Sequence, residues 1–92
     1  MEFRWNELKS TRLKRSRGAS FEEVVGGRLA AIRQHDRLEH QQILLFYYRD
    51  YIWAVPCVEE ERGVFLKTLY RSRKFTKKYL KGEYEKNQTD KI

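Results

Sequence analysis

Gln42-Ile-Leu-Leu-Phe-Tyr-Tyr-Arg-Asp-Tyr-Ile-Trp-Ala-Val-Pro-Cys-Val58 holds two apolar, aromatic-rich runs separated only by Arg49-Asp50. Runs of this length and composition read as strands, and a two-residue link makes them a tight antiparallel hairpin. The link lacks the glycine usually found where a short hairpin turns. Pro56 cannot donate to a ladder, so that position is expected at an edge or a bulge.

Toward the C-terminus, residues 59–63 turn the chain and 64–70 return as a further strand. Ser72 can cap a final helix that ends near Gly82. Within it Lys74, Lys77, Lys78 and Lys81 fall at i, i+3, i+4 and i+7, one basic stripe. Phe75, Thr76, Tyr79 and Leu80 take the opposite side and can dock on a sheet. Toward the N-terminus, residues 28–33 make a weaker strand and 35–40 a charged connection. Ser20-Phe-Glu-Glu23 is a capping box opening a short helix whose apolar face is Phe21, Val24 and Val25, stopped by Gly26-Gly27. Asn6 can cap an earlier helix through Arg17, ended by Gly18. Leu8 and Leu13 are its only large aliphatics, so it should lie on the surface. Residues 1–5 alternate as a short opening strand. The order is a strand, two helices, an antiparallel three- to four-stranded sheet and a C-terminal helix: α+β, with the helices on one face of a meander. Residues 1–82 form one domain, and the polar tail 83–92 should fray.

Ninety-two residues can bury only about 60–65% of their unfolded surface, so the fold has modest reserves. Hydrophobic residues at 40% and thirteen aromatics exclude a disordered chain. No apolar run approaches the roughly 20 residues of a membrane span, and the N-terminus lacks a signal-peptide core, so a cytoplasmic protein is expected. Cys57 is alone, inside an apolar run, and reads as core filler. Twenty Lys and Arg against thirteen Asp and Glu leave a net charge of +7, which favours an anionic partner: nucleic acid or an acidic protein. The excess sits in two acid-free clusters, residues 9–17 and 67–81. The stretch 65–81 places seven basic residues among four aromatics, as a surface for RNA phosphates and unstacked bases requires.

Several stretches together resemble the small toxins of type II toxin–antitoxin systems, in the RelE/ParE-like superfamily and nearest its BrnT-like branch. They are Phe3-Arg-Trp-Asn with Lys9, Arg17-Gly-Ala-Ser-Phe-Glu-Glu23 and Tyr51-Ile-Trp-Ala-Val-Pro-Cys-Val-Glu59, then Phe65-Leu-Lys-Thr-Leu-Tyr-Arg-Ser-Arg-Lys74 and Thr76-Lys-Lys-Tyr79. The resemblance implies an endoribonuclease, ribosome-dependent or free-standing, that stops translation. It also implies a cognate acidic antitoxin, often one with a ribbon-helix-helix DNA-binding part. A basic residue at a strand end and an arginine opening the last helix carry over onto Lys67 and Arg73. Relatives commonly have proline where this chain has Arg71, which adds charge and removes a rigid turn residue.

Cleavage of this kind needs neither metal nor cofactor, because the substrate's own 2′-hydroxyl attacks the phosphorus. Arg71 and Arg73 can fork the scissile phosphate, since guanidinium geometry matches it. Lys67 suits the role of base, and Lys74, Tyr70 or Tyr79 that of acid, while Tyr79 also suits core packing. Lys77, Lys78, Lys81 and Tyr70 are expected to contact RNA. His35 and His40 read as solvent-exposed loop residues rather than an acid–base pair. Trp5 and the hairpin aromatics Tyr47, Tyr48, Tyr51 and Trp53 read more readily as core than as stacking surfaces. The alternative is a non-catalytic module of the same fold that binds nucleic acid or protein, for example a ParE-like topoisomerase poison.

Overall fold

The computed structural model describes residues 2–35 and 37–81. The expected helix end near Gly82 and the tail 83–92 lie outside the described residues, as does the side chain of Lys81. The elements run β1 (Glu2–Arg4), α1 (Glu7–Arg17), α2 (Phe21–Val25), β2 (Arg28–Gln34), β3 (Gln41–Tyr48), β4 (Tyr51–Glu59), β5 (Gly63–Leu66), β6 (Tyr70–Arg71) and α3 (Arg73–Thr76). After α3 the chain widens into a π-type turn, Lys77–Lys81, so the last basic residues depart from the regular helical stripe.

The hairpin stands where its sequence puts it, with β3 and β4 in unbroken antiparallel register from Gln41↔Val58 to Tyr48↔Tyr51. Its turn is made without glycine. Arg49 and Asp50 both take positive φ, 51° and 64°, the pattern that matches the right-handed twist of the strands. Asp tolerates that region better than most residues. Its carboxylate accepts the Tyr47 hydroxyl at 2.9 Å, and the Arg49 guanidinium lies 5.3 Å from the centre of the Tyr48 ring.

The sheet is larger and less regular than a three- to four-stranded antiparallel meander. Its order is β1-β5-β4-β3-β2, with β6 also on β4. The edge strand β1 pairs β5 in parallel, which no local pattern encodes. A Cβ at Gly63 would collide with the Glu2 backbone, so this approach requires glycine. The helices also occupy both faces of the sheet, not one. Along β4, Trp53, Val55 and Cys57 join the α1 and α2 side with Phe21, Val24 and Leu44. Ile52 and Ala54 join the other side with Leu45 and Phe75 of α3. Burial of successive residues is what an almost continuous apolar run specifies, because alternate side chains leave by opposite faces.

Pro56 sits in this central strand rather than at an edge. Ile52 turns its own N–H and C=O away from β3, toward α3, and the same side recurs every second residue. The missing donor of Pro56 therefore faces the gap between β5 and β6, where its carbonyl accepts the Lys67 N–H at 2.8 Å. Cys57 is fully buried, and desolvation pushes its thiol up to about 11.

The N-terminal helices follow their caps. Asn6 accepts the Lys9 N–H at 3.0 Å, and Gly18 ends α1 at φ 92°. Leu13 is buried, whereas Leu8 is 72% exposed, as expected for a surface helix. Trp5 packs on Phe21 at 6.0 Å between ring centres. Glu23 completes the capping box by accepting the Ser20 N–H at 2.9 Å, and it also accepts Lys14 Nζ at 2.9 Å and the Tyr48 hydroxyl at 3.3 Å. The Lys14 bond first, then the Ser20 amide, draws its carboxyl from an ordinary 4.5 down to about 2. Because the folded value is the lower one, this stabilisation is complete above about pH 4.5 and is lost as pH falls through about 2. Urea midpoints measured across that window should fall in the wild-type protein, and Glu23→Gln should flatten the fall.

Candidate functional site

The residues between β5 and α3 are shaped by what they must satisfy on β4. Lys67 leaves β5 with its amide on Pro56, and Leu69 plugs into the core, fully buried. The Arg17 guanidinium, reaching from the end of α1, donates to the Leu69 carbonyl and to Thr68 Oγ1. Tyr70 and Arg71 then pair with Ala54 and Trp53. Directly opposed residues share a face. Tyr70 therefore lies on the α3 side and Arg71 on the side of α1 and α2. Ser72 caps α3 as expected, its Oγ accepting the Phe75 N–H at 3.0 Å. Its own N–H donates to the Ile52 carbonyl at 2.9 Å, while Ile52 N–H donates to Thr76 Oγ1 at 2.8 Å. Arg73 is thus the first residue of a helix fastened at both ends of its turn to the central strand.

Two clefts flank Arg73. The larger, about 410 Å³, has Arg33, His35, Tyr70, Arg73 and Lys74 on its walls, with Ile43 and Phe75 contributing apolar surface. Among the described residues its lining carries two guanidinium groups, one lysine, one imidazole and one phenol, and no carboxylate. Arg33 is held by donating to the Tyr79 hydroxyl at 3.2 Å and by lying 5.4 Å from the Phe75 ring centre. Lys74 approaches the same ring, 5.5 Å from its centre. His35 Nδ1 accepts the N–H groups of Arg37 at 3.1 Å and Leu38 at 3.3 Å, so in the neutral ring the proton sits on Nε2. The second cleft, about 370 Å³, is lined by Asp50, Tyr51, Arg73, Thr76 and Lys77. The Asp50 carboxylate holds the Tyr47 phenol above its ordinary range, first through their hydrogen bond and then through its charge.

The expected site residues divide accordingly. Tyr70, Arg73 and Lys74 share the larger cleft, and Lys77 meets Arg73 in the second. Arg71 stands apart from the larger cleft, its guanidinium 5.3 Å from the Tyr51 ring centre and 6.0 Å from that of Trp53. Lys67 is exposed at the end of β5 and lines neither cleft. Tyr79 is half-buried against Phe75 and braces Arg33. Lys78 is exposed, its ammonium 5.7 Å from the Tyr79 ring centre. Trp53 is only 4% exposed, and its indole N–H donates to the Tyr48 carbonyl at 3.0 Å, so it is core rather than a stacking surface.

Sequence reasoning missed Arg33 and set His35 aside as a solvent-exposed loop residue, whereas His35 is half-buried and lines the larger cleft. Arg33 pairs Ile43 on the α3 side of β2, and strict alternation along that strand would have pointed it there. His35 is placed by its amide bond to the Gln41 carbonyl, a pairing visible only once β2 and β3 are known to be partners. His40 is exposed in the turn before β3 and lines neither cleft, so the two histidines are not a pair. Among the described residues no group of three or more His, Cys, Asp or Glu is placed to hold a metal ion, and no helix is long and apolar enough to cross a membrane. No protein-family model matches the chain, and neither a curated protein nor a solved structure matches it.

Because Ile52 is fully buried, its N–H has no partner but Thr76. Thr76→Val should cost about 1–3 kcal/mol in urea unfolding by orphaning that donor, and Thr76→Ser should recover most of it.

Proposed function

We propose that this chain is an RNA-cleaving toxin of the type II toxin–antitoxin kind, acting without a metal and silenced by an acidic partner. The observation that carries the reading is a cleft in which Arg33, His35, Tyr70 and Lys74 surround an anchored Arg73, with no carboxylate among the described residues that line it. The resemblance of residues 1–82 to BrnT-like toxins of the RelE/ParE-like superfamily points the same way.

In this reading Arg73 and Arg33 hold the non-bridging oxygens of the scissile phosphate, where charge grows as the 2′-oxygen attacks. The His35 Nε2–H adds a donor to the same oxygens. Its Nδ1 lone pair is engaged by two backbone amides, so the ring orients phosphate rather than taking the 2′-proton. Lys74 and Tyr70 are the cleft groups with a proton to give the departing 5′-oxygen, and the 2′-proton leaves to solvent water in the open cleft. Lys77 and Lys78, exposed beyond the cleft, draw the phosphate backbone in, and the same charges suit the carboxylates of an antitoxin. One observation favours the second reading, a non-catalytic binder such as a topoisomerase poison: the lysine assigned as base, Lys67, lines neither cleft.

Arg73→Ala should lower RNA cleavage by about 10²-fold or more and relieve growth arrest on induced expression, with thermal unfolding little changed. Primer extension on total RNA reads the cleavage directly. Arrest that persists in this variant, or DNA damage without RNA loss, sinks the ribonuclease reading. For His35 the expected pattern separates donor from proton carrier. His35→Gln, which keeps an N–H near the Nε2 position, should retain activity within roughly tenfold, whereas His35→Ala should lose more than that.

A further inference from the structure

We infer that the cleft between Asp50 and Arg73 is a nucleobase subsite that selects guanine next to the phosphate held by Arg73. The inference rests on the ribonuclease reading for its phosphate. Arg73 lines both clefts, which puts the second cleft next to the residue that holds the phosphate in that reading. At about 370 Å³ that cleft falls within the usual size of a small-molecule site. Tyr51 also lines it, half-buried, with its ring packed on the α1 and α2 side of the core and the Arg71 guanidinium 5.3 Å from the ring centre.

Selection comes from Asp50, among the described residues the sole carboxylate lining either cleft. The positive-φ turn fixes its backbone, and the Tyr47 hydroxyl on Oδ1 fixes its side chain. Its Oδ2 and the remaining lone pair of Oδ1 then form an acceptor fork. Guanine presents N1–H and its exocyclic amino group side by side on one edge, two donors that match a carboxylate. Adenine and cytosine offer one amino group flanked by an acceptor, and uracil one imide N–H between two carbonyls. A carboxylate facing those acceptors is repelled, so the discrimination has both an attractive and a repulsive part.

Asp50 also serves the turn, and Asp50→Asn separates the two roles. Asparagine tolerates positive φ and its amide oxygen still accepts from Tyr47, but one acceptor of the fork becomes a donor. The probes are 2′-O-methyl pentanucleotides of uridine with guanosine, adenosine, cytidine or uridine at the centre, which cannot be cut. In fluorescence anisotropy the wild-type protein should bind the guanosine probe roughly tenfold tighter than the others, and Asp50→Asn should reduce that preference to within about threefold. Equal binding of all four probes by wild type, or a guanosine preference that survives Asp50→Asn, overturns the inference. A wild-type protein that selects the guanosine probe but cuts no RNA keeps the subsite and removes the ribonuclease reading. One that cuts RNA with no preference does the reverse.

Discussion

Ile52 is fully buried on a strand whose other edge is already taken by β3, and its N–H and C=O must still be satisfied. No strand reaches it: β6 pairs only with Trp53 and Ala54. The chain solves this with the first turn of α3, Ser72 donating to the carbonyl and Thr76 accepting from the amide. An unmet backbone pair in a dry core would cost several kcal/mol, so the position of α3 is dictated by the sheet rather than by its own short helix. Arg73 lies between those two contacts. The four-residue helix that carries Arg73 is therefore tied to the central strand on both sides of that residue.

The crossing of α3 to the face opposite α1 and α2 follows from the same strand. With β4 apolar at successive positions, one layer of helices cannot dry both of its sides. Phe75, Tyr79 and Leu80 cover Leu45, Ile52 and Ala54, and in doing so bring Lys74 against the end of β2. Arg33 and His35 come from that end. The larger cleft is thus a by-product of covering the second face, and its polar walls come from elements about forty residues apart in sequence.

This is why the sequence was legible in some places and silent in others. Caps and turns are encoded within a few residues, so Asn6, Gly18, Ser20 with Glu23 and Ser72 could be read directly, and each performs its expected bond. The hairpin was legible from its apolar runs even without a glycine, because side-chain bonds to Asp50 and Arg49 support a turn whose backbone is otherwise unfavourable. The parallel pairing of β1 with β5 had no local signal, since nothing near Phe3 specifies Val64 as a partner. Nor did residue spacing separate Arg71 from Arg73. They are two apart, as on one face of a strand, but the chain changes from strand to helix at Ser72 and the alternation ends there. Lys67 lines neither cleft although it is only four residues from Arg71, and Leu69 between them is drawn fully into the core.

The net charge also acquires a direction. Acids and bases neutralise one another at the end formed by β1 and the β4–β5 turn, where Arg4 meets Glu60, and across α1 and α2, where Lys14 meets Glu23. From residue 64 to 81 there is no acid at all. The surplus of positive charge is therefore concentrated where β6 and α3 meet the sheet, and among the described residues Asp50 is the one negative group lining its clefts. A carboxylate isolated among cations is well placed to be solvated by them and useless as a general repellent of phosphate. Its effect is confined to whatever group lies directly against it, which is the condition under which a single charge can distinguish one ligand edge from another.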